Sequence, residues 1–279
     1  SVSFAIIAAL SIAVWASAFT AAAQQPERTS PLSKPGHTLN TVQVEWFVLG
    51  FSVRNRPIYG WYFNRGAGPL VFVFAGIHGD EKASIEFGEI LRRRWAYHPG
   101  VLEGRCVLLI PSANPDGIAR GRRQNARGVD LNRNFPVEWK HIRSGDFSYG
   151  GPSPLSEPES VVLRDIVTQE KPVLIVSIHS RSRGKGVNNY DGPADHAASL
   201  MESHNGYEVW EEWRYPTPGS FGTYAGDELK IPTITLELPR RVSEQSEWDA
   251  NIRAVESLIK GLVGGRKPSP VRSGRTAAW

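Results

Sequence analysis

The stretch VFVFAGIHGDEKASIEF, residues 71–87, constrains the fold more than any other part of this 279-residue chain. It opens on an unbroken apolar run rich in valine and phenylalanine, then reaches His78, Gly79, Asp80 and Glu81, and afterwards resumes an apolar pattern with helical spacing. A short apolar run that does not alternate reads as a strand buried on both faces. The expected strand covers residues 70–75 and the expected helix residues 85–95. The rhythm recurs with a strand at 107–111, a helix at 157–170 capped by Ser156, a strand at 173–178, a helix at 194–204, a strand at 231–238 and a closing helix at 246–262. Residues 41–63 alternate apolar and polar side chains, as antiparallel edge strands do. Apolar strands separated by helices predict an α/β fold: a single domain whose central mixed, largely parallel sheet is flanked by helices on both faces. In such sheets ligands collect beyond the carboxyl ends of the strands.

Those ends carry polar groups. His78 and Glu81 follow the first buried strand, His179 and Ser180 follow the strand at 173–178, and Glu237 interrupts the apolar run TLELP. Two histidines and a glutamate suit a catalytic zinc ion, which keeps three protein ligands and a fourth position for water. The single cysteine, Cys106, lies in the apolar run RCVLLIP and reads as a buried small side chain. It allows neither an intrachain disulfide nor a cysteine-rich zinc site, so a metal site must use histidine and carboxylate. H-x-x-E alone fits a hydrogen-bonded core histidine equally well; His179 at a second strand end favours the metal. His37, His98, His141, His196 and His204 fall in loops or on polar helix faces and read as surface residues.

A glutamate buried in a strand is costly unless it is paired or has a task. Beside a metal site Glu237 suits a general base; the alternative is a salt bridge to a core arginine. The segment GRRQNARGVDLNRNFP supplies further candidates. Arg123 suits polarisation of a scissile carbonyl. Asp130 suits the orientation of a histidine ligand. Asn132 and the planar fork of Arg133 suit a substrate carboxylate. Arginines in a glycine-rich loop are otherwise solvated.

In order along the chain, H-x-x-E at His78 and Glu81, N-P-D-G at 114–117, G-V-D-x-N-R-N at 128–134, S-I-H-S at 177–180 and T-x-E-L at 235–238 resemble the zinc metallocarboxypeptidases. The resemblance runs over residues 42–262. It implies zinc, one ion per chain, held by His78, Glu81 and His179, with Glu237 as general base and Arg123 as the carbonyl-polarising arginine. It implies that Asn132 and Arg133 clamp a terminal carboxylate, and that Tyr215, in RYPTPGSFGTYAG, is a tyrosine closing over substrate, with Tyr224 a nearby alternative. The chain departs from digestive carboxypeptidases in a shorter interval between Glu81 and His179, in lacking their disulfides, and in ending the base motif as LELP. With IHGDE and PTPGS, it is more similar to the bacterial, murein peptide amidase-like branch. That implies hydrolysis of the γ-D-glutamyl–meso-diaminopimelate bond of murein peptides. The alternatives are a general carboxypeptidase on L-peptides and a zinc-dependent cell-wall peptide-binding module without catalysis.

The first thirty residues hold no charge before Glu27, and their apolar run ends in Ala21, Ala22 and Ala23. This predicts a signal peptide at 1–23, a linker at 24–40, a zinc peptidase domain at 41–263 and a flexible tail at 264–279, with the protein periplasmic or secreted. Membrane attachment is expected only if the first segment is kept as an anchor. The formal net charge of +4 comes with no interleaved basic and aromatic pattern, so nucleic acid is not expected as a partner. A carboxylate-bearing peptide suits that charge.

Overall fold

Eight strands join in one sheet in the computed structural model, which describes residues 44–211, 213 and 217–261. They are β1 (Val44–Phe51), β2 (Pro57–Phe63), β3 (Leu70–Ala75), β4 (Cys106–Ile110), β5 (Leu174–Ser180), β6 (Val187–Asp191), β7 (Glu208–Trp210) and β8 (Thr233–Leu238). Their order across the sheet is β1-β2-β4-β3-β5-β8-β6-β7. The central strands β4, β3, β5 and β8 are mutually parallel, so all four carboxyl ends open on one edge. β1, β2 and β6 run against their neighbours β2, β4 and β8 respectively, which makes the sheet mixed.

Alternation along β3 divides the interior into two cores. Val71, Val73 and Ala75 enter one core, packing with Phe87, Leu91 and Trp95 of α1 (Lys82–Tyr97), Met201 of α4 (Asp195–Asn205) and Trp248, Ile252 and Val255 of α5 (Gln245–Gly261). Phe72 and Phe74 enter the other, with Val162, Leu163 and Ile166 of α3 (Pro158–Gln169) and with Phe135, Phe221 and Tyr224. Both faces are therefore covered, which is why β3 and β4 are apolar throughout. Cys106 is buried and unpaired.

The structure shifts several boundaries. α1 begins at Lys82, three residues earlier than expected, with Glu81 as its N-cap residue. β3 ends at Ala75, and His78 sits in the following turn, where Gly76 adopts φ +67° and donates its N–H to Ser84 Oγ. β5 runs through His179 to Ser180, because its pairing with β8 continues that far. Ser156 does not cap α3: the N-cap is Glu157, and the Ser156 hydroxyl bonds the Glu157 carboxylate instead. Helix α2 (Pro115–Arg120) and strands β6 and β7 have no counterpart in the expected elements, since they are short and rich in polar residues. The segments 1–23, 24–40 and 264–279 lie outside the described residues. Among those described, no helix is long and apolar enough to cross a membrane.

Candidate active site at the strand ends

His78, Glu81 and His179 converge, with one ligand atom from each lying within 4.8 Å of the others. Glu81 sits between the two rings: its Oε1 is 2.7 Å from His78 Nδ1 and its Oε2 is 3.1 Å from His179 Nδ1. The Ser180 N–H also donates to Glu81 Oε2, at 2.9 Å, which fixes the carboxylate against the end of β5. Burial alone would raise the Glu81 pKa, but the two imidazoles outweigh it and hold the carboxyl well below its usual range.

His78 Nε2 faces Asp130 Oδ1 at 3.1 Å. Asp130 is fully buried, which works against its ionisation, yet Arg123 and His78 hold its pKa below the ordinary carboxylate range. An ionised carboxylate only accepts, so the proton of this contact is on Nε2 and the other ring nitrogen turns inward. Nδ1 and Glu81 Oε1 then face each other as two acceptors unless a proton or a cation lies between them. Burial and Arg123 push the His78 pKa down, but Glu81 and Asp130 prevail and raise it. Two inward nitrogens, a shared carboxylate and a carboxylate-oriented histidine fit a zinc ion.

Asp130 is the hub of the surrounding groups. It accepts from Arg123 Nε at 3.0 Å and from the Asn132 backbone N–H at 3.0 Å. Arg123 thereby brings Nη1 to 3.2 Å from His78 Nδ1, with its guanidinium over the Phe147 ring. The Asn132 side-chain oxygen accepts from the Phe221 N–H at 2.8 Å, which leaves its NH2 group for the cavity. Arg133 donates to the Asn132 carbonyl at 2.6 Å.

The N-P-D-G segment braces these loops rather than entering the site. Asn114 caps α2 by accepting from the Gly117 N–H and donates to the carbonyls of Ile77 and Arg123, the residues before and at two site positions. Gly79 packs against the same turn so closely that a Cβ there would fall 2.0 Å from the Gly117 carbonyl carbon.

Glu237 stands opposite His179 in the β5–β8 register. Among the described residues no hydrogen bond or ion pair reaches its carboxylate, so the salt bridge to a core arginine is not found. Its pKa is raised to about 7, chiefly by burial and with help from Glu81, against the opposing charges of His179, Arg181 and Arg123.

His78, Glu81, His179, Arg123, Asn132, Arg133 and Glu237 line one cavity of about 930 Å³, which also reaches Thr235 and Asp191. Asp191 is a candidate that the sequence does not announce. It pairs with Thr233 at the far end of β8 from Glu237, roughly 13 Å along the strand at about 3.3 Å per residue. Burial, and secondly the charge of Asp227, raise its pKa to about 7, and no described donor or cation meets its carboxylate. Gly222 and Gly226 pack so closely on Asp191 that a Cβ on either would fall 2.3–2.4 Å from it. Tyr215 lies outside the described residues. Tyr224 is buried and stacks on Phe135 with ring centroids 5.6 Å apart, which makes it a packing residue. His98, His141, His196 and His204 are exposed, and His37 lies outside the described residues.

Known proteins resemble this chain in sequence and in fold. The profile of the zinc carboxypeptidase family matches residues 38–202. Murein peptide amidase A of Escherichia coli K12 is 32% identical over 203 residues, covering 67% of this chain and 78% of that protein. The crystal structure of the murein-tripeptide amidase from Escherichia coli O157 superposes with a TM-score of 0.59 at 25% identity, over 82% of this chain and 96% of that one. Bovine thrombin-activatable fibrinolysis inhibitor, solved with a tick carboxypeptidase inhibitor, has a TM-score of 0.65 at 21% identity, over 78% and 90% of the chains, and shares the fold.

Proposed function

This chain belongs to the zinc carboxypeptidase family, and from that premise we propose that it is an exported hydrolase of murein peptides, cleaving the γ-D-glutamyl–meso-diaminopimelate bond. His78, Glu81 and His179 would hold one zinc ion. Bound there, zinc supplies a Lewis acid that polarises a carbonyl oxygen and acidifies water.

The chain's own groups do the rest. Glu237 takes a proton from the attacking water and delivers it to the leaving amine. Arg123, held by Asp130, presents a fixed N–H to the scissile carbonyl oxygen as charge develops on it. Asn132 and Arg133 bind the free carboxylate of the departing residue.

The observation that carries the substrate reading is Asp191. A half-buried carboxylate that lines the substrate cavity and meets no described cation suits an amino group on the side chain of the departing residue. Diaminopimelate has that amino group, and an aliphatic or aromatic C-terminal residue does not. The similarity to murein peptide amidases supports the same substrate. Lysine at the C-terminus of an ordinary peptide also places an amino group there, so a carboxypeptidase for basic residues is the second reading.

Mass-spectrometric digestion of a γ-D-glutamyl-meso-diaminopimelate peptide, its L-lysine counterpart and an α-linked peptide ending in lysine tests the choice. We expect the first to be cleaved fastest; fastest cleavage of the α-linked peptide would move the assignment to the second reading. Export is tested by fractionating cells that express the natural protein: activity retained in the cytoplasm would contradict it.

A further inference from the structure

We propose that Arg181 forms a second anion subsite at the lip of the cavity, which binds a free carboxylate on the acyl side of the scissile bond. The proposal rests on the peptidase reading above and adds which acyl groups the enzyme prefers.

Arg181 lies just past the end of β5. Its N–H donates to the Leu238 carbonyl at 2.8 Å, so the β5–β8 ladder continues one step beyond Ser180. Strand alternation then puts Arg181 on the same face as His179, about 6.6 Å further along. Its guanidinium is held in place: it lies 4.7 Å over the Trp210 ring, and Nη1 donates to the Lys185 carbonyl at 3.1 Å. A stacked guanidinium with one backbone acceptor keeps most of its N–H fork for a ligand.

No described carboxylate pairs with Arg181. Arg181 lies just beyond the end of the β5–β8 ladder that carries His179 and Glu237, whereas Asp191 pairs with Thr233 at the other end of β8, so Arg181 stands on the side of the reacting centre. Arg183 and Arg240 line the cavity beside it, also without a described acidic partner, and reinforce the positive potential at that lip.

A substrate with one terminal carboxylate, bound at Asn132 and Arg133, leaves this second cation unused. An acyl residue joined through its side-chain carboxyl keeps its α-carboxylate free, one residue from the scissile bond. In an α-linked peptide that carboxyl is itself the scissile carbonyl, and a carboxylate is present only on an acidic side chain. The structure therefore favours acyl groups that carry a carboxylate beside the bond, and among γ-linked peptides it favours the free α-carboxylate over the α-carboxamide.

The test compares two peptides that differ only at that group, a γ-D-glutamyl-meso-diaminopimelate peptide and its α-carboxamide. For the wild-type enzyme kcat/KM should favour the free acid by roughly tenfold or more, mainly through KM, the scale expected when one partner of a charge pair is lost. In Arg181→Gln the two substrates should become equivalent to within about twofold, and Arg181→Lys should restore part of the difference. A wild-type ratio near one, or an unchanged preference in Arg181→Gln, overturns the proposal. If the enzyme cleaves neither peptide, the murein reading fails; the subsite is then tested on α-linked peptides with Glu or Gln before the scissile bond, where equal wild-type rates overturn it.

Discussion

Glu237 and Asp191 are both carboxyls that burial brings to a pKa of about 7, but they face opposite tasks. Glu237 stands opposite His179 and can exchange a proton at neutral pH, where a base is most useful. Changing Glu237 to Gln keeps the shape and all three candidate ligands, so zinc content should stay while turnover falls roughly 10²-fold or more. Metal analysis and single-turnover rates on one preparation check this; a zinc-loaded variant cleaving at near the wild-type rate would assign the base elsewhere. The pH dependence follows from the sign of the shift. Glu237 works ionised, so kcat/KM should fall as pH drops through its pKa. A bound dication adds to the positive charges already lowering that pKa, so the acid limb should lie at or below about pH 7. An acid limb lying above about pH 7 would assign the titration to another group, since a bound cation can only lower the Glu237 pKa. His78, Glu81, His179 and Glu237 are legible in the sequence because each interrupts or follows an apolar run, where a polar side chain needs a reason. Asp191 is not, because NNYDGPAD has the composition of a solvated turn. Only the fold reveals that Asn188 and Asn189 before it are buried, with their NH2 groups donating to Asn205, Tyr207 and Trp210.

At the scale of elements, the site depends on how closely the turn after β3 packs on the turn that starts α2. The central strands and the long helices could be read from apolar periodicity, since packing and period agree there. Short elements could not: α2 has six residues and is set by Asn114 and tertiary hydrogen bonds rather than by an apolar face. Ser156 misleads for a related reason, because its hydroxyl is taken up by Asn134 and Glu157. The contact at Gly79 gives a test. A methyl group there meets the Gly117 backbone, not a movable side chain, so one turn must shift. Gly79→Ala should lower stability by about 1–3 kcal/mol, the usual cost of overpacking, and weaken zinc binding by displacing His78 and Glu81. Chemical denaturation and zinc titration check the two effects; wild-type values for both would mean that the turns are not coupled.

For the molecule as a whole, the unpaired Asp191 should link stability to pH. Its pKa in the folded chain is about 7 against an ordinary 3.8, so the folded state binds this proton more tightly than the unfolded state. That contribution is complete below about pH 4 and is lost as pH rises to about 7, so Asp191 makes the substrate-free protein less stable at neutral pH. Asp191→Asn should therefore raise Tm near pH 8 and change it little near pH 4, while slowing cleavage of peptides whose departing residue carries an amino group. A Tm difference independent of pH would remove the linkage. The central claim, that one zinc ion held by His78, Glu81 and His179 makes this chain a hydrolase, is tested most directly by stoichiometric zinc titration of chelator-treated protein. Activity on the γ-D-glutamyl-meso-diaminopimelate peptide should rise from background to a plateau at one zinc per chain. Under the same titration His179→Ala should gain neither tight zinc nor activity. Full activity in metal-free protein, or tight zinc binding and full activity in His179→Ala, would contradict it.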